Sequence, residues 1–302
     1  MRIFVTGGTG WIGSAVVTEL LAAGHVVVGL TRSNASARAI AAAGGEIRRG
    51  DVEDLDALRA GAADSDGVIH LAFRQDLGFT GHMEDAVAID IAAIQVFGET
   101  LAGTDRPLVI ASVLGLVPSA KPGLLITEQD MGEQGRALNE RAALALADQG
   151  VRSVSVRFAP TVHGEGDTGG LVPMMVAADR TGGSAAYIGD GTSRWPAVHQ
   201  SDAAHLVRLG FESAPAGSVL HAVAEEGIAQ VDVANAIGAG LGLPSTSITP
   251  DQAESHFGFL ASLLSDMPAS SMLTRDLVSW DPSGPGLLTD LEKDYYYVPA
   301  GA

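Results

Sequence analysis

The sequence predicts an α/β protein built on a doubly wound parallel sheet, with a smaller C-terminal region. Three observations carry this expectation. Short Val- and Ile-rich runs alternate with helical stretches through the first half of the chain, as strands do when crossover helices cover both faces of a sheet. A glycine-rich turn follows the first of those runs directly and opens a helix. Beyond Pro160 the alternation gives way to Gly- and Pro-punctuated segments. The implied division is residues 1–160 for the sheet and 161–302 for a second region interleaved with its last strands.

Each element has a local reason. Ile3-Phe4-Val5 is a short buried-strand run, and Trp11 to Ala23 is helical, with Ile12, Val16, Leu20 and Ala23 on one face and Gly24 as its stop. His25 to Thr31 is β-branched, and an Ala-rich helix from Ala35 to Ala43 ends at Gly44-Gly45. Glu46 to Arg49 is a weak third strand, followed by a helix over Asp54 to Ala60. Gly67 to Ala72 and Pro107 to Ala111 are the fourth and fifth strands, separated by a helix over Glu84 to Leu101. A helix over Arg136 to Gln149 leads to a sixth strand, Arg152 to Phe158. Further helices are expected over Ser201–Glu212, Val231–Leu241 and Ala253–Leu264.

Composition narrows the function. The 302 residues carry 18 Lys+Arg against 36 Asp+Glu, a formal charge of −18, and no cysteine. That excludes a disulfide framework, a thiolate nucleophile and a Cys-ligated metal. No His/Asp/Glu spacing matches a metal-ligand pattern, so no metal site is expected. The acidic balance argues against nucleic acid and anionic membrane as partners. The apolar N-terminus is broken by Gly7, Gly8, Gly10 and Gly13 and by Thr18-Glu19, which argues against a signal peptide and leaves the cytoplasm as the expected location.

Thr6-Gly7-Gly8-Thr9-Gly10-Trp11-Ile12-Gly13 lies between strand and helix. Gly7 permits the tight turn, Gly10 lets backbone approach a pyrophosphate, and Gly13 lets helix and strand pack closely. Residues 1–160 are therefore expected to be a dinucleotide-binding Rossmann domain. The second strand ends Thr31-Arg32-Ser33 with no carboxylate for a ribose 2′-hydroxyl. Arg32 offers a planar donor fork and Ser33 a hydroxyl, which favours NADP(H) over NAD(H). Asp51-Val52, after the third strand, is placed for the adenine, with a helix cap as the alternative for Asp51.

With Gly50-Asp51-Val52, His70-Leu71-Ala72, Arg157-Phe158-Ala159-Pro160, His163-Gly164 and Val198-His199-Gln200-Ser201-Asp202 added, the chain resembles the extended short-chain dehydrogenase/reductase family over nearly its whole length. Within that family it resembles the atypical ketoreductases of actinobacterial polyketide tailoring. The resemblance implies nicotinamide chemistry and a C-terminal substrate region, and extends the cofactor contacts to Leu71, Ala72, Phe73, Arg136, Pro160 and Val162. It also implies a catalytic Ser/Thr and a Tyr-x-x-x-Lys, and here the chain departs. The only tyrosines are Tyr187, Tyr295, Tyr296 and Tyr297, the only lysines Lys121 and Lys293, and no Lys follows a Tyr by four residues. Alignment on Glu140 puts Gly132 at the Tyr position and Val113 at the Ser position, with Ser112 one residue early. It puts Arg136 at the Lys position, where it would keep the ribose contact, with a surface pair to Glu140 as the alternative.

Hydride transfer survives such a loss, because general acid catalysis contributes about 10²–10⁴-fold rather than the whole acceleration. A ketone flanked by a phenolic hydroxyl supplies its own donor, so an aromatic polyketide-type ketone is the expected partner. Ser112 is the candidate catalytic residue. His163 reads as a packing residue, and His199 as a structural one. The helix carrying Phe257, Phe259, Leu260, Leu263 and Leu264 is a candidate pocket wall, with core as its alternative. Arg74-Gln75-Asp76 is expected near the nicotinamide. An NADP-sensing regulator and a nucleotide-sugar epimerase or dehydratase are the competing readings; the missing tyrosine base weighs against the latter.

Overall fold

The computed structural model describes residues 1–114 and 124–298; Lys121 lies outside the described residues. The first half runs β1 (Arg2–Thr6), α1 (Trp11–Ala22), β2 (Val26–Thr31), α2 (Asn34–Ala43), β3 (Glu46–Arg49), α3 (Leu55–Ala63), β4 (Gly67–His70), α4 (Gln75–Phe79), α5 (Met83–Leu101), β5 (Pro107–Val113), α6 (Ala137–Leu144) and β6 (Arg152–Phe158). The second half runs β7 (Thr161–His163), α7 (Leu171–Gly182), β8 (Ala185–Ile188), β9 (Arg194–His199), α8 (Gln200–Ser213), β10 (Ser218–Ala222), β11 (Glu225–Ala229), α9 (Gln230–Leu241), β12 (Ser245–Ile248), α10 (Pro250–Phe257), α11 (Met272–Val278) and α12 (Leu287–Asp290).

The main sheet has seven strands in the order β10-β6-β5-β4-β1-β2-β3, with every pairing parallel. This is the doubly wound Rossmann arrangement, and the strand order reverses between β1 and β4, where such sheets open a crevice at their carboxyl ends. The period of β1 shows how both faces are filled. Ile3 and Val5 join a cluster with Val16, Val17 and Leu20 of α1 and Leu206 and Val207 of α8. Phe4, between them, points into the opposite cluster with Leu58 of α3 and Phe97 and Leu101 of α5.

The seventh strand comes from residues 218–222, far along the chain, and pairs with β6 from Ser218↔Val154 to Ala222↔Phe158. Two small sheets, β11-β9-β7 and β12-β8, build the C-terminal region. The expected helix over Arg136–Gln149 is α6 followed by a tighter turn over Ala145–Gln149. The expected helix over Ala253–Leu264 begins earlier, on the Thr249–Gln252 capping box with Pro250 in the first turn. It ends at Phe257, because Gly258 turns to φ 59° and the chain tightens over Gly258–Leu263. No described helix is long and apolar enough to cross a membrane.

Candidate functional site

The crevice at the β1/β4 reversal is a cavity of about 1210 Å³, beyond the ~300–1,000 Å³ usual for a single small ligand. Its floor is the glycine turn. Gly7 has φ 71°, and a Cβ there would lie 2.6 Å from the Ala72 nitrogen; a Cβ at Gly13 would lie 2.0 Å from the Gly7 oxygen. Gly10 is the N-cap of α1, and no side chain caps that end. The first N–H groups of the helix therefore stay available to an anion.

All seventeen residues expected to bind cofactor or to act in catalysis line this one cavity: Gly7, Thr9, Gly10, Trp11, Ile12, Gly13, Arg32, Ser33, Asp51, Val52, Leu71, Ala72, Phe73, Ser112, Arg136, Pro160 and Val162. The turn is anchored to the C-terminal half. The Trp11 indole donates to the Val162 carbonyl at 2.9 Å, and the Gln200 amide donates to the Trp11 carbonyl at 2.6 Å. Gln200 thus explains one residue of the late Val198–Asp202 motif. Asp202 explains another, accepting from the Ser283 and Gly284 nitrogens.

At one end of the cavity stands the β2–α2 junction. Ser33 caps α2, its hydroxyl accepting from the Ser36 nitrogen. Arg49 from β3 donates to the Ser33 carbonyl and to Asn34 Oδ1, both at 2.8 Å, which fixes the turn that carries Arg32. Arg32 is mostly exposed and lies 3.9 Å from the Asp51 carboxylate. The cap of α3 is Asp54, not Asp51. Arg74 is held by Asp76 at 2.8 Å and by Glu53. That grip ties Arg74 to the segment after β3, and Arg74, Gln75 and Asp76 line the cavity beside Phe73. Asp76, hydrogen-bonded to Arg74, has its carboxyl pulled down to about 2.

At the other end, Phe73 follows β4, and the Arg136 guanidinium lies over its ring, 4.0 Å from the centroid. Arg136 Nη2 donates to the Ala111 carbonyl at 3.4 Å. It does not pair with Glu140, which is buried and taken by Arg157 at 2.6 Å, with Ser155 donating at 2.7 Å. Burial pushes the Glu140 carboxyl upward, but the bonds from Arg157, Ser155 and Ser112 outweigh it and hold the carboxyl below its ordinary value. Ser112 is itself buried, and its hydroxyl helps to hold the Glu140 carboxyl down. Behind β4 a second buried network runs from Thr6 through His70 to Asp90, at 2.6 and 2.9 Å. Asn139 of α6 donates to the same Asp90 carboxylate. Thr6 also accepts from the Ala72 nitrogen at 3.3 Å, so the end of β4 and the start of α6 share one scaffold.

Other expectations land elsewhere. Phe257, Leu260 and Leu264 are buried in the core, Phe259 and Leu263 are exposed, and none of the five lines the cavity; the break at Gly258 sends their side chains in different directions. His163 is fully buried on Asp290 at 2.8 Å, a carboxylate that also accepts from Tyr295 and Tyr296. The terminal tyrosines are therefore packing groups, and burial pushes Tyr297 up to about 12. His199 caps α8. Gly132 does not line the cavity, and its carbonyl accepts from Arg141 at 2.9 Å. Among the described residues no tyrosine, histidine or lysine lines the cavity, and no cluster suits a metal. The segment Gly166–Gly170 also forms part of the wall. Its signal in the sequence was the Asp167-Thr168-Gly169-Gly170 run, in which Asp167 accepts from the Gly169 and Gly170 nitrogens.

The sequence matches a known family and full-length relatives. Residues 3–92 match the NAD dependent epimerase/dehydratase family. The uncharacterized protein C2A9.02 of Schizosaccharomyces pombe is 46% identical over 98% of this chain and 100% of its own length. The uncharacterized protein YLL056C of Saccharomyces cerevisiae is 41% identical over 98% and 99%. A 2-alkyl-3-oxoalkanoate reductase of Stenotrophomonas maltophilia is 29% identical over 72% of this chain and 67% of its own. Among solved structures, MoeE5 in complex with UDP-glucuronic acid and NAD superposes with a TM-score of 0.72 at 22% identity, over 98% of each chain. The chain belongs to the NAD dependent epimerase/dehydratase family, the extended short-chain dehydrogenase/reductases.

Proposed function

We propose that the protein is an NADPH-dependent ketone reductase that works without the family's tyrosine. The observation that carries this reading is the lining of the cavity. It has an open helix N-terminus for a pyrophosphate and Arg32 with Ser33 for a 2′-phosphate, yet no tyrosine among the described residues. Gly7, Gly10 and Gly13 would let the backbone cradle the dinucleotide, with Asp51 and Val52 at the adenine. Phe73, Pro160 and Val162 would flank the nicotinamide, which when bound supplies a hydride. The chain's own task is then to orient a carbonyl and to stabilise charge on its oxygen.

Epimerases and dehydratases lean on the tyrosine base, so its replacement by Gly132 favours simple reduction. The Stenotrophomonas relative, named a reductase of an oxoalkanoate, supports the same direction. Leu71, Phe73, Val113, Phe158 and Val162 give the cavity an apolar wall, suited to a bulky ketone. The resemblance to polyketide ketoreductases points to an aromatic ketone with a neighbouring phenolic hydroxyl.

The test is NADPH oxidation across a panel of polycyclic ketones, paired with fluorescence titrations of NADPH and NADH. Turnover of at least one aromatic ketone with tighter binding of NADPH is expected. Tighter binding of NADH would overturn the cofactor assignment, and NADPH binding without turnover of any ketone would make the protein a sensor.

A further inference from the structure

Three arginines line the cavity, and only one lacks a carboxylate partner among the described residues. Arg32 has Asp51, and Arg74 has Asp76 and Glu53. Arg136 has the face of Phe73 and one long bond to the Ala111 carbonyl. The position is costly in three ways. Arg136 is the N-cap of α6, where the helix dipole disfavours a cation. It is half-buried, and burial lowers its pKa, with Asp90 opposing. Its donor fork is left mostly unused although a guanidinium carries five N–H groups. A cation held this way, over an aromatic ring, is arranged for an anion that forms inside the cavity.

We propose that Arg136 is a catalytic residue whose guanidinium donates to the substrate carbonyl oxygen and stabilises the alkoxide. The inference rests on the ketone-reduction reading. The step balances: the carbonyl carbon gains a hydride, the π pair moves onto oxygen, and the Arg136 donors hold that charge. The oxygen then takes a proton from water, releasing hydroxide to the buffer. The guanidinium keeps its own protons throughout, so it replaces the tyrosine's electrostatic part and leaves proton delivery to solvent. Phe73 is a positioning residue that keeps the fork aimed. A substrate with an internal phenolic hydrogen bond has its carbonyl already polarised and needs Arg136 less.

The test compares wild type, Arg136→Gln, Arg136→Lys and Phe73→Leu on alpha-tetralone and its peri-hydroxy derivative. NADPH affinity is measured by fluorescence, and binding of naphthoate, whose carboxylate mimics the alkoxide, is measured in the NADP complex. Arg136→Gln is expected to lower kcat on tetralone by about 10²–10³-fold. Its loss on the hydroxylated ketone should be several-fold smaller, naphthoate binding should weaken, and NADPH affinity should hold. Arg136→Lys, which keeps charge without the fork, should recover part of the rate.

Loss of NADPH affinity in proportion to the loss of rate would overturn the proposal and return Arg136 to a ribose contact. Unchanged kcat and naphthoate binding in Arg136→Gln would overturn it outright. If Arg136→Gln does not fold, the lysine and Phe73→Leu variants decide: reduced kcat with intact NADPH affinity supports the role, and wild-type rates refute it. Wild type that binds NADPH and naphthoate but reduces neither ketone would overturn the reduction reading and the alkoxide role with it.

Discussion

At the scale of single residues, two side chains make separable statements. Arg32 is mostly exposed and pairs with Asp51 only at 3.9 Å, which leaves its donor fork room to meet a 2′-phosphate. A charge-assisted hydrogen bond is worth about 1.5–3 kcal/mol, roughly one to two decades of affinity. Arg32→Asp should therefore weaken NADPH by that order and improve NADH, because a carboxylate there can accept from the ribose hydroxyl; paired titrations check both. His221 is fully buried between Arg157, which donates to its Nε2 at 3.2 Å, and the Ser270 carbonyl at 2.7 Å from its Nδ1. Burial pulls its pKa from 6.5 down to about 4. In the window between those values the unfolded chain binds a proton that the folded protein refuses, so stability rises with pH there and is lost as pH falls. The melting temperature should drop on acidification from pH 6.5 towards 4. His221→Asn should flatten part of that slope even if it melts lower throughout.

At the scale of elements, the phosphate turn was legible because its geometry is written in residue types. Gly7 and Gly13 occupy positions where any Cβ would overlap backbone, 2.6 Å from the Ala72 nitrogen and 2.0 Å from the Gly7 oxygen. Gly13→Ala is the sharp case, since in an ordinary helix interior that change stabilises by about 1 kcal/mol. Here it should lower the melting temperature and abolish NADPH binding together, as calorimetry and titration will show. The parallel strands were legible from their β-branched runs. The stripe from Phe257 to Leu264 was misleading for a reason the same approach exposes. Spacing alone does not register that Gly258 adopts φ 59°, which ends the helix and scatters the stripe. Ser112 was legible as a residue at the carboxyl end of a central strand. Its influence on Glu140 was not, because that carboxylate arrives from α6, more than twenty residues later in the chain.

At the scale of the whole molecule, the two halves of the chain are not independent. β10 completes the main sheet beside β6, α8 packs its buried Leu206 and Val207 into the cluster shared with α1, and Gln200 holds the phosphate turn. The break in sequence character at Pro160 marks a change of architecture, and the later residues, expected to interleave with the last strands, add β10 beside β6, a partner that no local pattern names. A fragment of residues 1–160 would expose the edge of β6 and the apolar face that α8 covers. It should be aggregated or unfolded by circular dichroism, and co-expression with 161–302 should recover it. The same integration places the glycine turn, the Arg32 corner and the Arg136–Phe73 stack along one cavity.

The most direct test of the central claim supplies the full chain with NADPH carrying deuterium at the transferable position, together with alpha-tetralone, and weighs the product by mass spectrometry. Ketone reduction yields an alcohol bearing one deuterium at the carbinol carbon. NADPH bound in the cavity with no labelled alcohol formed from this ketone or its peri-hydroxy derivative would contradict it.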